Sequence, residues 1–213
     1  MRNLGHRVSA CRICVDGPRQ APLPHEPRPV CVLSSSARIA ISGQAPGLRV
    51  HKSGRPFTDP SGDRLRDWMQ VDEATFYDPN KIAIVPMGFC FPGYDAKGSD
   101  LPPRRECREA WHDEVFAAMP QLRLVLAVGG YAQSYHLPSR RNRDGKPRNL
   151  TQTVAAWREY LQPRNDGPVP GAVVMPIPHP SWRNNAWLKQ NSWFEAELLP
   201  ELRQRVSECL EAE

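Results

Sequence analysis

Residues 38–47 read RIAISGQAPG and residues 172–181 read AVVMPIPHPS. Each is a short apolar run leading into an unusual loop, the first bounded by glycines and the second presenting an imidazole between prolines. Working outward, residues 82–87 (IAIVPM) and 122–128 (LRLVLAV) share the same buried-strand character. Helical spacing fills the intervals. SGDRLRDWM at 61–69 takes Ser61 as its N-cap and sets Leu65, Trp68 and Met69 on one face. Residues 105–119 and 130–137 follow, then a helix capped by Thr151 that carries Val154, Trp157 and Leu161. An amphipathic helix over 195–210 ends the series. Strands alternating with helices predict an α/β fold of three layers, α/β/α, with a central four-stranded parallel sheet covered on both faces. Ligands of such sheets sit beyond the carboxyl ends of the strands, so GQAPG and HPS are expected to converge on one site.

The 213 residues, 40% apolar and 24% charged, suit one well-buried domain. Residues 1–37 read as an irregular, Pro-rich arm of that domain, and 38–213 as its body. No apolar run approaches the roughly 18 to 20 residues that cross a bilayer, and the first residues lack the apolar stretch of a signal peptide. The expectation is a soluble, cytoplasmic protein, nucleoid-associated in a prokaryote, with no membrane partner. The net charge of +5 rests on 23 Arg against 5 Lys. Guanidinium groups grip phosphate bidentately, so this balance fits a polyanionic partner, although an Arg-rich genome would produce the same count. The basic loop at 139–149 (SRRNRDGKPRN) reads first as a solvated surface, with phosphate contact as the alternative.

Within the first loop, Gly43 and Gly47 permit backbone geometry that a side chain would forbid, bringing the amides of Ala45 and Pro46's neighbours, together with Gln44, close to a ligand. His179 on its own is more often structural than functional, and it becomes a candidate through its pairing with GQAPG. Six cysteines in a chain of this kind are read for metal or cluster ligation before disulfides. Cys11 and Cys14 are spaced C-x2-C, and Cys90 and Cys107 C-x16-C. Iron-sulfur ligation, zinc and unliganded thiols all remain open on that spacing. Cys31 and Cys209 fall outside the pattern and are expected to pack. No Walker-type lysine loop or dinucleotide fingerprint is present, so no nucleotide cofactor is implied.

With GQAPG after the first strand and HPS after the last, the chain resembles the uracil-DNA glycosylase superfamily. GRPFTDPSGDRL at 54–65 and the four cysteines bring it nearest to the iron-sulfur (family 4-like) branch, over about residues 11 to 200. The resemblance implies hydrolysis of the bond between a damaged base and its deoxyribose in base excision repair, by a monomer acting on DNA. The nucleotide would be flipped out of the duplex, with Phe57 stacked on the extruded base; a core aromatic is the alternative for Phe57. His179 would donate to the oxygen on which negative charge develops, while Ser181 and the first loop line the base pocket. Cys11, Cys14, Cys90 and Cys107 would hold a 4Fe-4S cluster. Lys52, Arg55, Arg183, Asn184 and Lys189 would contact DNA, the last three from a loop rich in tryptophan. Two departures stand out. Gln44, which can orient a water but cannot accept its proton, occupies the place of the branch's usual Glu, and Asp59 is the catalytic acid expected instead, in the manner of a related branch. Pro86 stands where an Asn would read the uracil edge, so another deaminated base becomes possible. A catalytically inactive DNA-binding or protein-binding member of the fold is the alternative, and a small-molecule hydrolase a third.

Overall fold

The computed structural model describes all residues except Ser139, Arg143, Ala212 and Glu213. Two of these belong to the basic loop, so that part of the 139–149 reading lies outside the described residues. Four strands, β1 (Ile39–Ser42), β2 (Ile82–Ile84), β3 (Leu124–Val128) and β4 (Val173–Ile177), form one parallel sheet in the order β2-β1-β3-β4. Pro176 is tolerated in β4 because that strand is an edge, where a missing N–H breaks no ladder.

Every strand residue is buried, and the period-2 alternation divides them between two cores. Ile39, Ile41, Ile82, Ile84, Leu124, Leu126 and Met175 face one side. Ala40, Ala83, Val125, Ala127 and Val174, mostly smaller, face the other. The bulky side is covered by α4 (Pro60–Met69), α5 (Glu73–Phe76), α8 (Leu150–Ala155) and α10 (Leu199–Glu211). The smaller side is covered by α1 (Arg2–Ser9), α6 (Arg105–Ala117) and α7 (Gly129–His136). This is the three-layer arrangement that the strand and helix alternation predicts. Among the described residues no helix is long and apolar enough to cross a membrane.

Three local expectations are corrected. Asp59, not Ser61, is the N-cap of α4, with Pro60 in the first turn, where proline's fixed φ suits a helix start. Asn149, not Thr151, caps α8 through a reciprocal capping box with Gln152, and a 3-10 turn (Trp157–Tyr160) interrupts the helix before Leu161. The arm is not irregular throughout. It contains α1 and α2 (Ile13–Asp16), and Leu4 and Val8 of α1 are buried in the core. Its later residues add an antiparallel bridge from Val32 to Ile84. The final helix begins as a π-helical stretch over Phe194–Leu198 before becoming regular.

Candidate active site

The glycine-bounded loop after β1 leads into α3 (Leu48–Ser53) and forms one wall of a crevice at the carboxyl end of the sheet. The cavity, about 120 Å³, is also lined by Phe57, Asp59, Pro86, Asp100 and His179. Its wall is fixed by backbone bonds. The N–H groups of Met87 and Gly88 donate to the carbonyls of Gly43 and Gln44, each at 2.9 Å. Gln44 donates its side-chain amide to the Leu101 carbonyl at 3.3 Å. Pro86, in the same wall, offers no N–H, and its carbonyl is occupied by the buried His112 ring at 3.0 Å.

Phe57 adopts a left-handed backbone, φ +55°, which is costly for an aromatic residue and persists only where its surroundings enforce it. Those surroundings are specific. The Tyr77 hydroxyl lies 2.9 Å from the Pro56 carbonyl and 3.0 Å from that of Phe57. Gly62 of α4 packs so tightly beneath that a Cβ there would lie 1.9 Å from the Phe57 oxygen. The ring stands edge-on to Phe76 at 5.9 Å and reaches the bare face of Gly43, where an added Cβ would be 4.0 Å from its tip. Both readings of Phe57 therefore meet in one residue, which packs on the core and lines the crevice.

His179 enters from the loop after β4. Its Nδ1 accepts the Ser181 N–H at 3.2 Å, which leaves the ring proton on Nε2. Burial lowers the imidazole pKa, against the opposing influence of Asp59 and Asp100, and favours the neutral ring. Asn184 donates to the His179 carbonyl at 2.6 Å, and Arg64 of α4 donates to the Ser181 carbonyl at 3.2 Å. The loop is thus clamped to α4, and Asn184 supports the histidine from within the protein.

The expected DNA contacts divide. Lys52, Arg183 and Lys189 are exposed. Arg55 is committed to Glu73 at 3.0 Å and stacks on Tyr77 at 3.6 Å, which holds it near Phe57. Of the three tryptophans after HPS, Trp187 and Trp193 pack against the core, whereas Trp182 is 72% exposed beside the crevice loop. One acidic crevice residue was not among the sequence candidates: Asp100 stands in a Gly- and Pro-containing loop with no periodicity to mark it.

The four patterned cysteines line a second, small and largely apolar cavity between the arm, the turn after β2 and α6. None of the six cysteines is in a disulfide. Trp111 donates to Cys11 and the Phe89 N–H to Cys107, both at 3.2 Å. Burial pushes the Cys90 thiol up to about 12 and that of Cys107 well above the usual range. Arg104 lines the same cavity with a buried Nε that has no partner. Among the described residues, no three His, Cys, Asp or Glu side chains are gathered around a single-ion position.

Fold and crevice together define an α/β protein with a cavity at the carboxyl edge of a parallel sheet, between a glycine-bounded loop and a histidine loop. Residues 32–203 match the family model of the uracil DNA glycosylase superfamily, and the chain belongs to that superfamily.

Proposed function

We propose that this protein is a monofunctional DNA glycosylase that hydrolyses the N-glycosidic bond of uracil, or another deaminated base, flipped out of DNA. The observation that carries the reading is the convergence of Phe57, the first loop and a neutral His179 on one crevice. A base extruded from the stack loses its neighbours, and the Phe57 ring offers a replacement platform. As the C1′–N bond breaks, the base leaves as an anion. The Nε2–H of His179 is the donor for the oxygen on which that charge settles. A neutral donor suits this task because it stabilises the anion without protonating the base beforehand. Exposed Lys52, Arg183, Lys189 and Trp182 provide cations for phosphate and an aromatic surface at the mouth.

Cys11, Cys14, Cys90 and Cys107, which line one cavity, would be the ligands of a 4Fe-4S cluster. In such a cluster each thiolate binds a different iron, so the sulfurs surround a cavity without meeting at a point. The N–H donors on Cys11 and Cys107 and the unpartnered Arg104 nitrogen fit an anionic group there. When bound, the cluster would tie the arm to α6, in a cavity lined by other residues than the crevice.

Anaerobic incubation with oligonucleotides carrying one uracil, hypoxanthine or xanthine, followed by alkali, tests the activity. Strand cleavage is expected with at least one of them. The second reading, a DNA-binding scaffold without catalysis, is favoured by Gln44 and Pro86. It would be established by salt-dependent DNA binding with no abasic sites formed from any of the three.

A further inference from the structure

The crevice contains two carboxylates, and they are differently engaged. Asp59 is the N-cap of α4: its Oδ1 accepts the Ser61 hydroxyl at 2.5 Å and the Gly62 N–H at 3.4 Å. Asp100 has no hydrogen bond or ion pair among the described residues. Its Oδ2 faces the open side of Gly47, 3.9 Å from where a Cβ would stand. The charged and titratable groups around it are His179, Arg183 and Asp59. Its loop is pinned to the first motif by the bond from Gln44 to Leu101, the residue that follows Asp100. A carboxylate free of side-chain partners, lining the same crevice as His179 and facing bare backbone, keeps both oxygens available to accept from a water molecule.

We infer that Asp100, and not Asp59, is the carboxylate that takes the proton from the attacking water. This rests on the glycosylase reading above. The water oxygen bonds to C1′ while one of its protons passes to Asp100. The C1′–N bond breaks, and its electron pair departs with the base, whose anion is held by His179 Nε2–H. The products are a sugar hydroxyl, a base anion and a protonated Asp100, which later loses its proton to solvent or to the departing base. Partial burial and the charge of Asp59 raise the Asp100 pKa, against His179 and Arg183, which strengthens it as a proton acceptor. Gln44 then needs no carboxylate of its own, because its amide holds the loop that bears one.

Asp100→Asn and Asp59→Asn separate the two roles, since asparagine caps a helix about as well as aspartate. Single-turnover cleavage of whichever oligonucleotide the wild type cuts would be followed over roughly pH 5 to 8. Asp100→Asn is expected to lose about a hundredfold or more in rate and the acid limb of the pH profile, with DNA affinity nearly unchanged. Asp59→Asn is expected to lose about tenfold or less and to keep that limb. Wild-type-like turnover in Asp100→Asn, or loss of the acid limb in Asp59→Asn instead, would overturn the assignment while leaving the glycosylase reading intact. A wild type that cuts no substrate overturns the glycosylase reading and the role of Asp100 with it.

Discussion

His179 arrives in the crevice with its ring proton already assigned, because the Ser181 N–H occupies Nδ1. Proline on both sides of it, and the bond from Asn184 to its carbonyl, restrict the backbone that carries it. His179→Ala is therefore expected to cut the cleavage rate by about a hundredfold or more while leaving DNA affinity almost unchanged, as measured by single-turnover rates beside a binding isotherm. Equal losses in rate and affinity would place the histidine in binding and not in departure of the base. Phe57 shows how one residue's conformation depends on another far from the chemistry. Its positive φ is held by the Tyr77 hydroxyl and by the absence of a side chain at Gly62.

At the scale of elements, the N-terminal arm and the loops at the sheet's carboxyl edge do different work. The arm's α1 contributes Leu4 and Val8 to the core, and Arg7 pairs with Glu114 of α6 at 2.6 Å. That exposed pair adds little, because solvent and salt screen it. The stronger tie available to the arm is the cysteine set, which would join α2, the turn after β2 and α6. Protein purified without oxygen is expected to be brown and to contain iron, and Cys90→Ser to lose both colour and iron with a lower melting temperature. Colourless, iron-free wild type would remove the cluster assignment.

For the whole molecule, acid stability follows from two buried histidines on the smaller-residue side of the sheet. Burial lowers His112 to about 4 and His136 to about 3. Both are neutral in the folded protein at neutral pH, and the unfolded chain takes up protons near the ordinary value of about 6.5. Above that pH their contribution is complete. As pH falls from there toward the folded values, the unfolded state binds more protons and stability declines by about 1.4 kcal/mol per pH unit for each histidine. Urea midpoints measured between neutral pH and roughly pH 4.5 check this, and a midpoint unchanged over that interval would contradict it. His136→Phe is expected to flatten the decline.

What the sequence by itself determined is the layered sheet and the two loops at its edge. Alternation of apolar strands with helical spacing leaves few arrangements that bury both faces, and the odd and even residues of each strand then sort into the two cores without further information. RIAISGQAPG and AVVMPIPHPS were expected to meet at the sheet's carboxyl edge, and the first loop and His179 do line one crevice there. Capping was less legible: Asp59, Ser61, Asn149 and Thr151 are all residues that cap helices, and only the path of the chain selected Asp59 and Asn149. Trp182 and Trp187 are indistinguishable as residue types, and packing alone left one exposed and buried part of the other. The tertiary structure also decided the acids. Asp59 is drawn into a helix cap by short-range hydrogen bonds, whereas Asp100 reaches the crevice because the long loop after β2 folds back over the first motif. That return path is a long-range contact, and no local pattern of side chains encodes it.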